Sequence, residues 1–131
     1  MCSSDLTTLD EEIRRRGLPT PKLIKIDTEG AKLAVLEGAR SLLEGARTPF
    51  VIAELHEFGL ERMGASQARL RAFMKGFGYE TFVPYYNGAL PKLIPDGIAI
   101  KPGAYINMLF STIDAVSECW PEEPIHPSLW R

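Results

Sequence analysis

Apolar positions along this chain change their period several times, and each change marks an element. Thr8-Leu9-Asp10-Glu11 has the capping-box form, with an acid three residues after a threonine. Leu9 and Ile13 share one face and Gly17 is a stop, which predicts a short helix over residues 9–16. Pro19 and Pro21 impose an extended connection. Leu23-Ile24-Lys25-Ile26-Asp27 is a short β-branched run ending in a carboxylate and predicts a buried strand. Gly30 marks a tight turn. Val35, Leu36, Ala39, Leu42, Leu43 and Ala46 then keep helical spacing, so one helix is expected over residues 31–46. Residues 50–55, Phe-Val-Ile-Ala-Glu-Leu, form a second apolar strand with an acid near its carboxyl end.

Ser66 can cap the next helix, in which Leu70, Phe73, Met74 and Phe77 follow i, i+3, i+4, i+7, and Gly78 ends it. Alternation predicts a third strand over residues 79–85 and a fourth over 105–111. The connection between them is rich in Pro and Gly (Gly88, Pro91, Pro95, Gly97, Pro102, Gly103), and connections of that length are functional or unstructured. After Asp114, Trp120, Pro121, Pro124, Pro127 and Trp130 predict an irregular tail. The expected organisation is one unit over residues 7–113 and a tail over 114–131. Strands alternating with helices imply an α/β fold with a parallel sheet. The last two strands have no helix between them and should pair antiparallel, with the last inserted between the second and third.

Composition narrows the function classes. A length of 131 residues is enough for one core without disulfides or metal. A net charge of −2 gives no basic surface for nucleic acid or anionic membrane, so neither is expected as a partner. Cys2 and Cys119 have no metal-ligand spacing and make no disulfide framework, which implies a reducing, cytoplasmic setting. No apolar run is long enough to cross a bilayer, and residues 1–8 lack a signal-peptide pattern.

Leu23-Ile-Lys-Ile-Asp-Thr-Glu-Gly-Ala-Lys-Leu-Ala-Val-Leu-Glu-Gly-Ala39 resembles the central signature of the FkbM-type methyltransferases, an apolar pair, Lys-Ile-Asp-x-Glu-Gly, and an apolar helix closing on Gly-Ala. Thr8-Leu9-Asp10 is similar to the family's approach to that strand. Pro49-Phe-Val-Ile-Ala-Glu-Leu-His56, Gly78-Tyr79 and Asn107-Met-Leu-Phe110 resemble its later strands in order. The resemblance covers roughly residues 7–110. It implies part of a class I methyltransferase (Rossmann-like) sheet, parallel strands ending in an antiparallel hairpin, and S-adenosylmethionine as cofactor of the complete domain. It also implies methyl transfer to a hydroxyl of a small-molecule acceptor, a sugar, lipid or secondary metabolite. The family pattern is not whole. Such a fold holds its cofactor with a Gly-rich turn after the first strand and an acid after the second. No Gly-x-Gly turn precedes Leu23, so the chain is expected to be the C-terminal half of the domain, with no cofactor-binding residue assigned. A non-enzymatic half-domain, a remnant or interaction module, is the competing expectation.

Ligands of open α/β sheets bind beyond the carboxyl ends of the strands. Asp27 ends one strand, Glu54 nearly ends the next, and His56 shares Glu54's face if that strand continues. Asp27, Glu54 and His56 are the catalytic candidates. A base beside the acceptor hydroxyl takes its proton, and an acid orients an imidazole base. Asp27 can equally cap the following helix, and Glu29 can simply favour a helix N-terminus. Glu29, with Tyr85, Tyr86 and Asn87 at the start of the long connection, is expected to contact the acceptor. That connection, residues 86–104, should hang over the same mouth. A metal held by Asp27, Glu54 and His56 is chemically feasible, but no metal is expected. Finally, the strand from Leu23 to Asp27 has one edge with no partner in the sequence. Lys25 alone protects it, so self-association or a partner chain is expected there.

Overall fold

A computed structural model describes residues 7–26, 32–56, 60–85, 88–100 and 105–120, with the backbone alone for 32, 55, 56, 60–66, 105 and 106. The chain opens with α1 (Leu9–Arg16). Thr8 caps it as the sequence predicts: its Oγ1 accepts from the Glu11 N–H at 3.1 Å. Gly17 ends it in the left-handed conformation, φ 64°. Three acids in its first turn and three arginines in its last complement the helix dipole. After β1 (Leu23–Ile26) come α2 (Lys32–Glu37) and α3 (Arg40–Leu43), the latter running into a 3-10 turn, Glu44–Ala46.

The single helix expected over 31–46 is therefore broken, and α1 shows why. The Asp10 N–H donates to the Gly38 carbonyl at 2.9 Å. Asp10 Oδ2 accepts from the Ser41 N–H at 2.9 Å, capping α3 from another helix. Gly38 sits so close to Thr8 that a Cβ added there would lie 3.0 Å from the threonine Cβ. The Gly-Ala pair that closes the helical signature thus admits α1 to the sheet's helical layer.

β2 (Phe50–His56), α4 (Leu60–Lys75), β3 (Glu80–Val83), β4 (Lys92–Ile94), β5 (Tyr105–Ser111) and α5 (Ile113–Cys119) complete the order. The sheet runs β1-β2-β5-β3-β4. β1 and β2 are parallel, with Leu23 opposite Phe50 and Ile26 opposite Ala53. β5 is antiparallel to both β2 and β3, as expected for a last strand inserted between the second and third. Three departures concern residues outside the strongly periodic runs. α4 begins at Leu60, so Ser66 lies inside it rather than capping it. The apolar stripe that announced the helix starts only at Leu70, and the earlier turns carry no such signal. β4 pairs antiparallel with β3 inside the connection expected to lack structure. Residues 114–119, expected to open the irregular tail, are helical, with Thr112 Oγ1 accepting from the Ala115 N–H at 3.0 Å.

Pleating sends alternate residues to two unlike faces. On the helix face Ile24, Ile26, Val51, Ala53, Met108 and Phe110 pack with Leu36, Leu42 and Leu43 of the α2–α3 region and with Leu70 and Met74 of α4. Phe73 and Phe77 meet edge to face at 5.2 Å, with the Arg40 guanidinium over both rings. Tyr79, wholly buried, donates its hydroxyl to the Thr48 carbonyl and so ties the end of α4 to the entry of β2. Burial pushes its pKa up to about 12. On the second face Phe82 and Leu109 pack with Val116 of α5, and Phe50 meets Trp120 edge to face at 6.0 Å.

Candidate functional site

The parallel strands β1 and β2 fix which end of the sheet can bind a ligand. Both carry their carboxyl ends to one edge, and the described part of β1 stops there at Ile26. β2 continues through Glu54 and Leu55 to His56, paired with β5 along its length: Glu54 lies opposite Asn107 and His56 opposite Tyr105. Positions 54 and 56 are two apart in an unbroken strand and share the second face. Glu54 is half-buried, and so is Asn107 directly across from it.

Asn107 was not singled out as a site residue from the sequence. Its only signal there is a polar residue in an otherwise apolar strand, Ile106-Asn107-Met108-Leu109-Phe110, the same signal that marks Glu54 in β2. The register adds what the sequence could not, that the two polar interruptions meet on one face toward the carboxyl ends of the parallel strands. An amide beside a carboxylate can donate to the carboxylate and to an acceptor oxygen together.

Of the other candidates, Asp27, Glu29, Tyr86 and Asn87 lie outside the described residues, as does the side chain of His56. Tyr85 is 47% exposed just beyond the end of β3, which runs in the same sense as β2 and so ends at the same edge. Among the described residues, which do not include Asp27, no three His, Cys, Asp or Glu side chains come together to hold a metal ion. No helix among them is long and apolar enough to cross a membrane.

The connection after β3 does not overhang this edge as one flap. Val83 pairs with Lys92 and Thr81 with Ile94, so β4 leads the chain away from the edge. Residues 95–100 then return along α4. Arg71 ties them to α4 and β3: Nε donates to Thr81 Oγ1 at 3.1 Å, one terminal nitrogen to Gln67 Oε1 and the Ile98 carbonyl, the other to the carbonyls of Ile94 and Pro95. Burial draws the Arg71 pKa below its ordinary value, opposed by nearby Asp96. One turn earlier Gln67, itself buried, accepts from the Ile100 N–H at 2.8 Å and donates to the Ile100 carbonyl at 3.3 Å. A cavity of about 340 Å³ lies under this return, lined by Gln67, Arg71, Lys75, Gly97 and Ile98. Its cationic groups are committed, since Lys75 is paired with Glu80 and Asp96.

A nucleoside-bearing methyl donor needs a strand, a glycine turn and a helix N-terminus in succession. The segments that join β1 to α2 and β2 to α4, residues 27–31 and 57–59, lie outside the described residues. Among the described residues the glycines with positive φ (Gly17, Gly45, Gly78, Gly88, Gly97) follow helices or sit within the β3–β4 and β4–β5 connections.

The sequence model of the Methyltransferase FkbM domain matches residues 3–81, more than half of the chain. No curated protein and no solved structure matches it.

Proposed function

The chain belongs to the FkbM methyltransferase-domain family, and from that premise we propose that it forms the acceptor side of an S-adenosylmethionine-dependent O-methyltransferase. The acceptor is a small molecule bearing a hydroxyl, of the sugar, lipid or secondary-metabolite class. One observation carries the reading: β2 runs unbroken through Glu54 to His56 at the edge where the parallel strands end, with Asn107 across from Glu54. The residue that follows β1 in the chain is Asp27, which lies outside the described residues.

The chemistry asked of these groups is modest. A carboxylate or a neutral imidazole takes the acceptor's hydroxyl proton, which leaves the oxygen nucleophilic, and this is worth about 10²–10⁴ in rate. The second acid orients the base, and Asn107 donates to whichever acceptor oxygen does not react. Tyr85, with Glu29, Tyr86 and Asn87, would bound the acceptor. S-adenosylmethionine supplies the methyl group in this family.

Calorimetric titration and turnover test this together. S-adenosylmethionine should bind this chain no more tightly than the millimolar range, and micromolar affinity would overturn the assignment of the acceptor side alone. In a form of the enzyme that turns over, Glu54→Gln and His56→Ala should each lower kcat by about 10²-fold or more with little change in denaturation midpoint. A fully active Glu54→Gln enzyme would return Glu54 to a structural role. A second reading, a non-enzymatic interaction module, would be selected by a folded chain that accelerates no methyl transfer with any donor-binding partner.

A further inference from the structure

Arg71 and Gln67 sit one turn apart on α4, and besides the Thr81 hydroxyl and the bond between the two, everything they hold belongs to one stretch of chain. Arg71 engages three carbonyls within residues 94–98, and Gln67 closes both hydrogen-bonding groups of Ile100. A guanidinium with all five donors used is not a ligand site. It is a fastening, and its partial burial makes an unmet partner costly. What it fastens matters because of what comes next. From Ile100 to Tyr105 the chain can span at most about 17 Å even when fully extended. Tyr105 opens β5, where its backbone pairs with His56, and two residues later Asn107 faces Glu54.

We infer that Gln67 and Arg71 are positioning residues that act through the start of β5 on the Glu54–His56 end of β2. That this end receives the acceptor rests on the function proposed above, whereas the coupling does not. With the return segment pinned, the start of β5 is kept within that reach of Ile100 and the β2–β5 ladder closes as far as His56. With it released, the ladder's far end, Val51 opposite Phe110, stays locked in the core, and the end carrying Glu54 loses its anchor.

Amide hydrogen exchange followed by NMR on the whole chain decides the matter, since it needs neither cofactor nor acceptor. In Arg71→Met and Gln67→Leu the amides of residues 94–100 should exchange at least ten-fold faster. So should those of Leu55, His56, Tyr105 and Ile106, while Val51 and Phe110 keep their rates. Arg71→Lys, which keeps the charge but loses the planar fork, should recover only part of the protection. Faster exchange confined to residues 94–100, or an equal rise along the whole of β2 and β5, would overturn the inference. So would collapse of either variant to an unfolded spectrum, because the pair would then support the fold at large. If the coupling holds and no methyl transfer is found in any form, the functional reading fails and the positioning role stands.

Discussion

The two faces of the sheet are built from the same strands and differ in nearly every other respect. On the helix face each strand buries apolar side chains in continuous contact with α2, α3 and α4, and Val51, Ala53, Met108 and Phe110 have no exposure at all. On the second face, among the described residues, α5 and Trp120 cover only the patch of Phe50, Ile52, Phe82 and Leu109. Elsewhere on it Leu23 is 52% and Leu93 41% exposed, and Glu54 and Asn107 are half-buried. The contrast separates two jobs. The helix face supplies the cooperative burial that holds the chain together. The second face is where polar residues can sit near solvent within a strand, and it is the face that bears the candidate chemistry.

The sharpest way to break this division is to cut into both faces equally. Phe110→Ala should cost about 3–5 kcal/mol, whereas Leu23→Ala, already half in water, should change stability by less than about 0.5 kcal/mol. Urea denaturation of the two variants measures the difference, and similar losses would mean that the second face is also core. A smaller effect tests how the helix face is locked. Tyr79→Phe leaves the Thr48 carbonyl without its buried donor and should cost about 1–2 kcal/mol.

It should also alter the alkaline limb of stability. The native hydroxyl titrates near 12 and the unfolded one near 10, so the folded state keeps a proton that the unfolded state has lost. The contribution is complete below pH 10 and declines by about 1.4 kcal/mol per pH unit between those values. A Tyr79→Phe chain should lack that component of the decline, which a series of melts from pH 9 to 12 would show. The smallest effect on stability and the most telling about the second face is Leu23→Lys. Among the described residues the outer edge of β1 pairs with no strand, and Lys25 is its one charge. We propose that the chain self-associates there, so the added charge should shift sedimentation toward monomer while leaving the melt within about 1 °C. Unchanged association would place the contact elsewhere.

How much of this was legible in the sequence follows the same division. Elements with a strong period or a cap were readable: α1 with Thr8 and Gly17, β1, β2 and β5, and the insertion of β5 between β2 and β3. Elements set by contacts distant in sequence were not. The break between α2 and α3 follows from Asp10 capping Ser41 and Thr8 lying on Gly38, and no window of residues 31–46 contains that information. β4 is three residues long and flanked by prolines, and it exists because β3 offers an edge. α5 is too short for its period to show against the prolines that follow. Within the site, Glu54 was visible as an acid in an apolar strand. Asn107 became visible only through register, because partnership across a sheet is a property of two strands and not of either one.

The contact between Thr8 and Gly38 has a consequence for how freely this chain can vary. Because α1 is seated by its own backbone bond and by Asp10's bond to Ser41, its place does not depend on the length of the segment that leads from it into β1. Residues 18–22 act as a tether rather than a strut. Doubling such a tether adds only about 0.6 kcal/mol of closure entropy, so insertions there should be absorbed readily, while a single methyl group at position 38 would press on Thr8 and force α1 or its threonine to give way.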